Sequence, residues 1–136
     1  MAIVKEYNRP VADAGRIDRV QTLIETDVAT NVLNYGVTTL VNTTDDSAFF
    51  VIDLPVQGIR KTVIVDMEST GLVTLISPTT LITFLGSTGN AVVFTTGATP
   101  KSVELVGISA TQWAVSSQST GVTLATSTRV AGETIT

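Results

Sequence analysis

Short runs of apolar residues recur about every ten residues through most of the chain, and polar residues alternate with apolar ones inside them. In one run Val63 and Val65 fall on one side and Thr62 on the other, which is the period of two that a β-strand produces. Clusters of Gly, Pro, Asn, Asp and Ser separate the runs, as is typical of turns. Nine strands are therefore predicted, at residues 37–42, 48–54, 60–66, 72–76, 81–85, 91–95, 102–106, 112–116 and 122–126.

The spacing of the predicted strands indicates the class of fold. No long helical pattern separates them, so a parallel βαβ architecture is not expected. Short strands joined by polar turns favour an all-β protein, either an antiparallel β-sandwich or a jelly-roll-like barrel of about eight or nine strands. We expect residues 35–128 to form this body, called the knob below, and residues 129–136 to form an exposed C-terminal end.

Residues 1–34 differ from the knob and are predicted to form an N-terminal arm. Apolar residues in the arm recur at spacings of three and four, as on one face of a helix, whereas Gly15 and several β-branched residues oppose a helix. The alternative is an extended arm that becomes ordered only on a neighbouring surface, and this is the conformation we favour. The apolar residues of the helical pattern are Val11, Ala14, Ile17, Val20, Ile24 and Val28.

Charge is distributed unevenly along the chain. Sixteen of the twenty charged residues lie in positions 1–68, and positions 69–136 hold only four. Several strand faces that should point to solvent nevertheless carry Ile or Val, at Ile64, Ile76 and Val106. Either a second layer of the same chain covers these faces, or identical neighbours meet there in an oligomer. The scarcity of charge favours the homo-oligomer.

Composition excludes several classes of function. The chain has no His and no Cys, which removes the commonest general base, any thiolate nucleophile and Cys/His zinc sites. A net charge of −4 with eight Lys and Arg argues against a nucleic-acid binder, and no apolar run approaches the length of a membrane span. The first residues lack the apolar region of a secretory signal, so synthesis in a cytoplasm is expected. We therefore expect no enzymatic activity, no cofactor, no metal, no nucleic acid and no membrane.

Three short polar motifs have ordinary structural interpretations. Asp45, Asp46 and Ser47 could offer oxygen ligands to calcium, but a polar hairpin tip is the favoured interpretation. The Asn42-Thr43-Thr44 sequence matches a glycosylation acceptor, and without a signal peptide it indicates a turn. Arg60 and Lys61 form a small basic spot that is expected at the surface or at the rim of an oligomer.

The order of features between residues 49 and 117 carries a resemblance. Leu54-Pro55 and Gly58 are followed by an apolar strand at 63–66, a Thr- and Ser-rich block with Gly turns, a strand at 102–105 and a single Trp113. This order resembles a module of tailed-bacteriophage virion proteins that occurs in capsid decoration proteins, head fibres and tail fibres or tail spikes. The resemblance implies a trimeric β knob. A short chain with one body and one arm is more similar to a capsid decoration (cement) protein than to a fibre.

The resemblance also implies a physical role. Three chains would meet on the outer surface of a phage head, and the arms would run over major capsid subunits and stabilise their contacts. The partners would be the chain itself and the major capsid protein, and the location the virion surface. The alternative is a receptor- or glycan-binding knob of a head fibre, tail fibre or tail spike. The candidate residues of the arm are Pro10, the apolar anchors Ile3 and Tyr7, and the partners of carboxylates Arg9, Arg16 and Arg19. The candidate residues of the knob core and trimer interface are Leu54, Pro55, Ile64, Ile76, Val106 and Trp113.

Overall fold

The computed structural model of the protein describes residues 20–84, 89–95 and 99–126. Within these ranges the chain forms ten β-strands and one short 3-10 helix at Glu25–Asp27. Nine of the strands lie where alternation predicts them, and one, β1, does not belong to the prediction. The strands are β1 (Val20–Ile24), β2 (Gly36–Val41), β3 (Ala48–Val51), β4 (Arg60–Val65), β5 (Val73–Ile76), β6 (Thr83–Phe84), β7 (Ala91–Phe94), β8 (Lys101–Ser109), β9 (Gln112–Gln118) and β10 (Val122–Ala125).

The strands form two sheets that share one hydrophobic core. The larger sheet has six strands in the order β1-β2-β4-β8-β9-β6, and the smaller has four in the order β10-β7-β5-β3. Inward-facing residues of both sheets make up the core, and the prediction of an all-β sandwich is confirmed. The core residues are Leu23, Val32, Leu40, Ala48, Phe50, Ile52, Val63, Val65, Val73, Leu75, Ile82, Phe84, Val92, Phe94, Val103, Leu105, Trp113 and Val122.

The pairing of the strands is mixed, whereas the sequence predicted antiparallel pairing throughout. The pairs β4–β8, β8–β9, β5–β7 and β7–β10 are antiparallel, but β1–β2, β2–β4, β3–β5 and β6–β9 are parallel. The reason is the path of the chain. From β2 to β8 each successive strand lies in the opposite sheet, so strands that pair in one sheet are separated by a crossover through the other.

The boundary between arm and knob at residues 34 and 35 lies inside the folded body. β1 pairs in parallel with β2, from Val20 beside Val37 to Ile24 beside Val41, and Leu23 is only 5% exposed. Val32 is fully buried and forms a bridge beside the end of β3. Residues 20–24 are therefore neither helical nor part of a free arm, because the neighbouring strand outweighs the helical spacing of their apolar side chains. Residues 1–19 lie outside the described residues.

The end of the sandwich where β2 finishes is fixed by one buried amide. The Nδ2 of Asn42 donates to the backbone oxygens of Asp46 and Leu72 at 2.7 and 3.0 Å, and its Oδ1 accepts from the backbone N–H and the hydroxyl of Thr44 at 3.1 and 2.7 Å. Gly71 packs so closely against this turn that a Cβ there would overlap Asn42 and two backbone oxygens. The fully buried Asn42 thus organises the turn in which the sequence placed it.

Candidate interaction surfaces

The candidate arm residues fall outside the described part of the chain. Ile3, Tyr7, Arg9, Pro10, Arg16 and Arg19 all precede residue 20, and their proposed contacts remain predictions. The described chain begins at Val20, which is 69% exposed and lies beside Val37 at the start of β2. The segment that contains the candidate residues therefore joins the knob at the end of the sandwich where β2 and β4 begin.

The candidate knob residues lie in four different environments. Trp113 is fully buried, which agrees with its predicted place in the core, and its indole Nε1 has no hydrogen-bond partner among the described residues. Ile64 and Val106 are half-buried on the outer face of the six-stranded sheet, on the neighbouring strands β4 and β8. Ile76 is 2% exposed on the outer face of the other sheet. Leu54 is exposed beside the buried Pro55, so the structure does not bring this set together on one surface.

Exposed apolar side chains gather at the end of the sandwich where β4 begins. Tyr35, Leu54, Val56 and Ile108 are 38%, 54%, 53% and 37% exposed. We call these four residues the apolar tip. They come from three segments of chain, and only Leu54 is among the residues that the sequence singled out. Tyr35 and Val56 lie in connections, where apolar residues carry no periodic signal, and Ile108 lies in the part of β8 beyond the predicted strand at 102–106.

Backbone contacts hold the three segments of the apolar tip against each other. The Nδ2 of Asn34 donates to the backbone oxygen of Leu54 at 2.7 Å, and this bond joins the segment before β2 to the one after β3. Gly107 exchanges hydrogen bonds with the turn before β4, since its oxygen accepts from Gly58 at 2.7 Å and its N–H donates to Ile59 at 2.9 Å. A side chain at Gly107 would overlap the backbone of Val56, so only glycine permits this approach. Hydrogen bonds therefore fix the three segments of the apolar tip relative to one another.

A buried lysine lies beneath the apolar tip. Lys61 is 2% exposed, and its Nζ donates to the backbone oxygen of Tyr35 at 3.0 Å and to the hydroxyl of Thr38. That hydroxyl donates in turn to the Oε1 of Gln21 at 2.8 Å, which also accepts from the N–H of Leu33 at 3.1 Å. This network joins β1, β2, β4 and the connection between β1 and β2. The prediction that Lys61 belongs to a basic spot at the surface is therefore wrong.

The acid–base behaviour of Lys61 follows from its surroundings. Burial lowers the pKa of Lys61 to about 8, and the carboxylate of Asp53 acts in the opposite direction. The direct acceptors of the ammonium are uncharged oxygens, which compensate only part of the lost hydration. The alternation of Lys61 with Val63 and Val65 places it on the inward face of β4, and this signal could have located it from the sequence.

A polar hollow opens on the outer face of the six-stranded sheet. It has a volume of about 210 Å³, and it crosses β2, β4, β8 and β9. Thr62 faces Glu104 across the β4–β8 pair, and Arg60 stands two residues before Thr62 on the same face. The residues that line the hollow are Gly36, Val37, Arg60, Lys61, Thr62, Glu104, Leu105 and Ser116. The hollow thus presents a positively charged hydrogen-bond donor, Arg60, and a negatively charged acceptor, Glu104.

No group of three or more His, Cys, Asp or Glu side chains that could hold a metal ion occurs within residues 20–84, 89–95 and 99–126. The Oδ1 of Asp66 accepts from the N–H of Glu68 at 2.8 Å, as in an Asx turn. Nor does the described part of the chain contain a helix long and apolar enough to cross a membrane.

No protein-family model matches the chain, and no curated protein is similar enough to it to count as a relative.

Proposed function

We propose that the chain is a structural virion protein, a capsid decoration (cement) protein that binds the outer surface of a phage head as a homotrimer. The resemblance of residues 49–117 to a virion module motivates this role, and the exposed apolar tip is the observation that supports it best. Tyr35, Leu54, Val56 and Ile108 present apolar surface at one end of a knob whose interior is already filled. A surface of this kind is characteristic of an interface.

In this proposal the apolar tip joins the three chains. Burying each of its partly exposed side chains between copies contributes on the order of 1 kcal/mol, since full burial of such a side chain is worth roughly 1.5–3 kcal/mol. The tip is held by backbone hydrogen bonds before association, so little conformational entropy is lost when copies meet. Leu54, the most exposed of the four, is also a residue that the sequence nominated for the knob core and trimer interface.

The N-terminal segment provides the contact with the head. Residues 1–19 contain Arg9, Arg16 and Arg19 for carboxylates of the major capsid protein, with Ile3 and Tyr7 as apolar anchors. They precede Val20, which lies at the same end of the sandwich as the apolar tip. Linked binding of three segments raises their effective concentration, and weak single contacts add up to tight attachment.

The experiment is sedimentation of the chain with isolated head shells of the source phage. The full-length chain is expected to sediment with the shells, and a chain of residues 20–136 is expected to lose this binding while its fold and its trimer mass remain. A chain that binds host cells or glycans and does not bind the shells would contradict the proposal. Equal binding of the two chains would contradict the proposal that residues 1–19 contact the head.

A further inference from the structure

We propose that the polar hollow on the outer face of the six-stranded sheet is a binding site for a single sugar ring. The hollow lies on β2, β4, β8 and β9, and none of the four residues of the apolar tip is among those that line it. This site does not depend on the proposed role in a virion. Three features of the hollow support a sugar as its ligand: two exposed charged side chains, an irregularity in β9 and the size of the space.

Besides the buried Lys61, two exposed charged residues line the hollow, and they do not form an ion pair with each other. Arg60 and Glu104 are both exposed and stand diagonally across the β4–β8 pair, a position from which opposite charges commonly interact. Within the described part of the chain neither side chain forms an ion pair or a hydrogen bond. One guanidinium donor and one carboxylate acceptor therefore remain available to a ligand placed between them.

An extra residue in β9 adds a hydroxyl at this position. Glu104 faces Ser117 and Leu105 faces Val115, so Ser116 has no partner on β8 and forms a β-bulge. Its Oγ donates to the backbone oxygen of Glu104 at 3.2 Å and remains able to accept. Bulges commonly redirect a side chain beside a functional site. Here the bulge places a hydroxyl at the edge of the hollow.

The remaining walls complete a surface for a polyhydroxylated ring. Half-buried Thr62 adds a second hydroxyl in the middle of the hollow, and half-buried Val37 supplies an apolar wall for the C–H groups of a sugar. Gly36, with a φ of 75°, adds backbone and no side chain to the lining. The volume of about 210 Å³ lies below the range of roughly 300–1,000 Å³ that holds drug-sized ligands. The occupant is therefore one ring, held by a carboxylate that accepts from its hydroxyls and a guanidinium that donates to its oxygens.

The test is a titration of the ¹⁵N-labelled full-length chain with methyl pyranosides of glucose, galactose and mannose, followed by amide chemical shifts. We expect saturable shifts at Thr62, Glu104 and Ser116 with a Kd in the millimolar range for at least one sugar. Glu104→Gln should weaken this binding at least about tenfold, because it removes a charged acceptor. The matched control is Glu68→Gln, which changes an exposed carboxylate in the turn after β4, outside the hollow, and should bind as the unchanged chain does.

Three results would overturn the proposal. The first is that none of the three sugars causes saturable shifts at concentrations up to tens of millimolar. This result counts against the proposal also if assembly of the chain covers this face. The second is equal affinity of the Glu104→Gln variant and the unchanged chain. The third is binding of a zwitterionic amino acid such as L-alanine at the same residues in place of sugars. The spectra of each variant report its fold directly, so a misfolded variant cannot imitate a loss of binding.

Discussion

Lys61 places a titrating amine inside the sandwich, where its acceptors are the backbone oxygen of Tyr35 and the hydroxyl of Thr38. Its pKa is about 8 in the folded protein and 10.5 in an ordinary lysine. Below pH 8 the folded and unfolded chains both hold the proton, and the folded chain bears the full free energy of burying the charge. Between these two pKa values the unfolded chain binds more protons, so the free energy of unfolding rises with pH.

The first prediction compares Lys61→Met with the unchanged chain from pH 7 to pH 11. Chemical unfolding should show that the unchanged chain gains stability relative to the variant between about pH 8 and pH 10.5, because only the unchanged chain carries the buried amine. Lys101→Met is the control, since it removes a different lysine, bonded to Thr99, and leaves Lys61 in place. A difference in stability that stays constant across this range would contradict the assignment.

Gly71 and Gly58 are each required to be glycine, but for different physical reasons. Gly71 has no room for a Cβ against Asn42 and the backbone of the adjacent turn, whereas Gly58 faces open space but has a φ of 86°. The second prediction is that Gly71→Ala lowers the free energy of unfolding by about 3 kcal/mol and Gly58→Ala by about 1 kcal/mol. Equilibrium unfolding in urea measures both. Equal losses would mean that the turn at Asn42 can move to admit a methyl group.

The alternation of residues was sufficient to place nine strands, because inward and outward positions differ in polarity along most of them. β1 was missed for a physical reason. Its outward residues Val20 and Ile24 are as apolar as its inward Leu23, so their spacing matched a helix, and only pairing with β2 decides the conformation. The parallel pairs were missed because the path of the chain from sheet to sheet is a property of the whole fold.

The third prediction concerns β1 as a part of the knob. Removing residues 1–19 should leave the free energy of unfolding nearly unchanged, while removing residues 1–31 should lower it by at least about 3 kcal/mol. The longer deletion takes away the buried Leu23 and leaves Thr38 and Leu33 without the Gln21 oxygen that they share. Thermal unfolding of the two chains compares them directly. Equal stability of the two would contradict the place of β1 in the sheet.

The candidate surfaces were less accessible to sequence reasoning than the strands. Leu54 was identified, but Ile108 approaches its segment because Gly107 has no side chain, and the segment of Tyr35 approaches it through the bond from Asn34. The hollow likewise depends on a bulge at Ser116, which no local sequence pattern predicts. Such surfaces arise from the packing of distant segments, and a single sequence contains no record of that packing. The scarcity of charge in the second half nevertheless pointed to association between copies.

For the whole molecule, association through the apolar tip is the central claim, and it makes a prediction for two matched variants. Leu54→Asp places a charge in the tip, and Leu72→Asp places the same charge at a side chain that is 44% exposed near Gly71, beside the buried Asn42. The first variant should dissociate the trimer because a desolvated carboxylate is unfavourable in an interface. The second should leave the trimer intact. Dissociation by both variants would show that the tip has no special role.

The most direct test is the mass of the full-length chain in solution, measured by light scattering or sedimentation equilibrium over a wide range of concentrations. One chain has a mass of 14.3 kDa, so we expect a species of about 43 kDa, three times that mass, which persists on dilution. A particle of 14.3 kDa at every concentration would contradict self-association, and with it the trimeric role proposed for this protein.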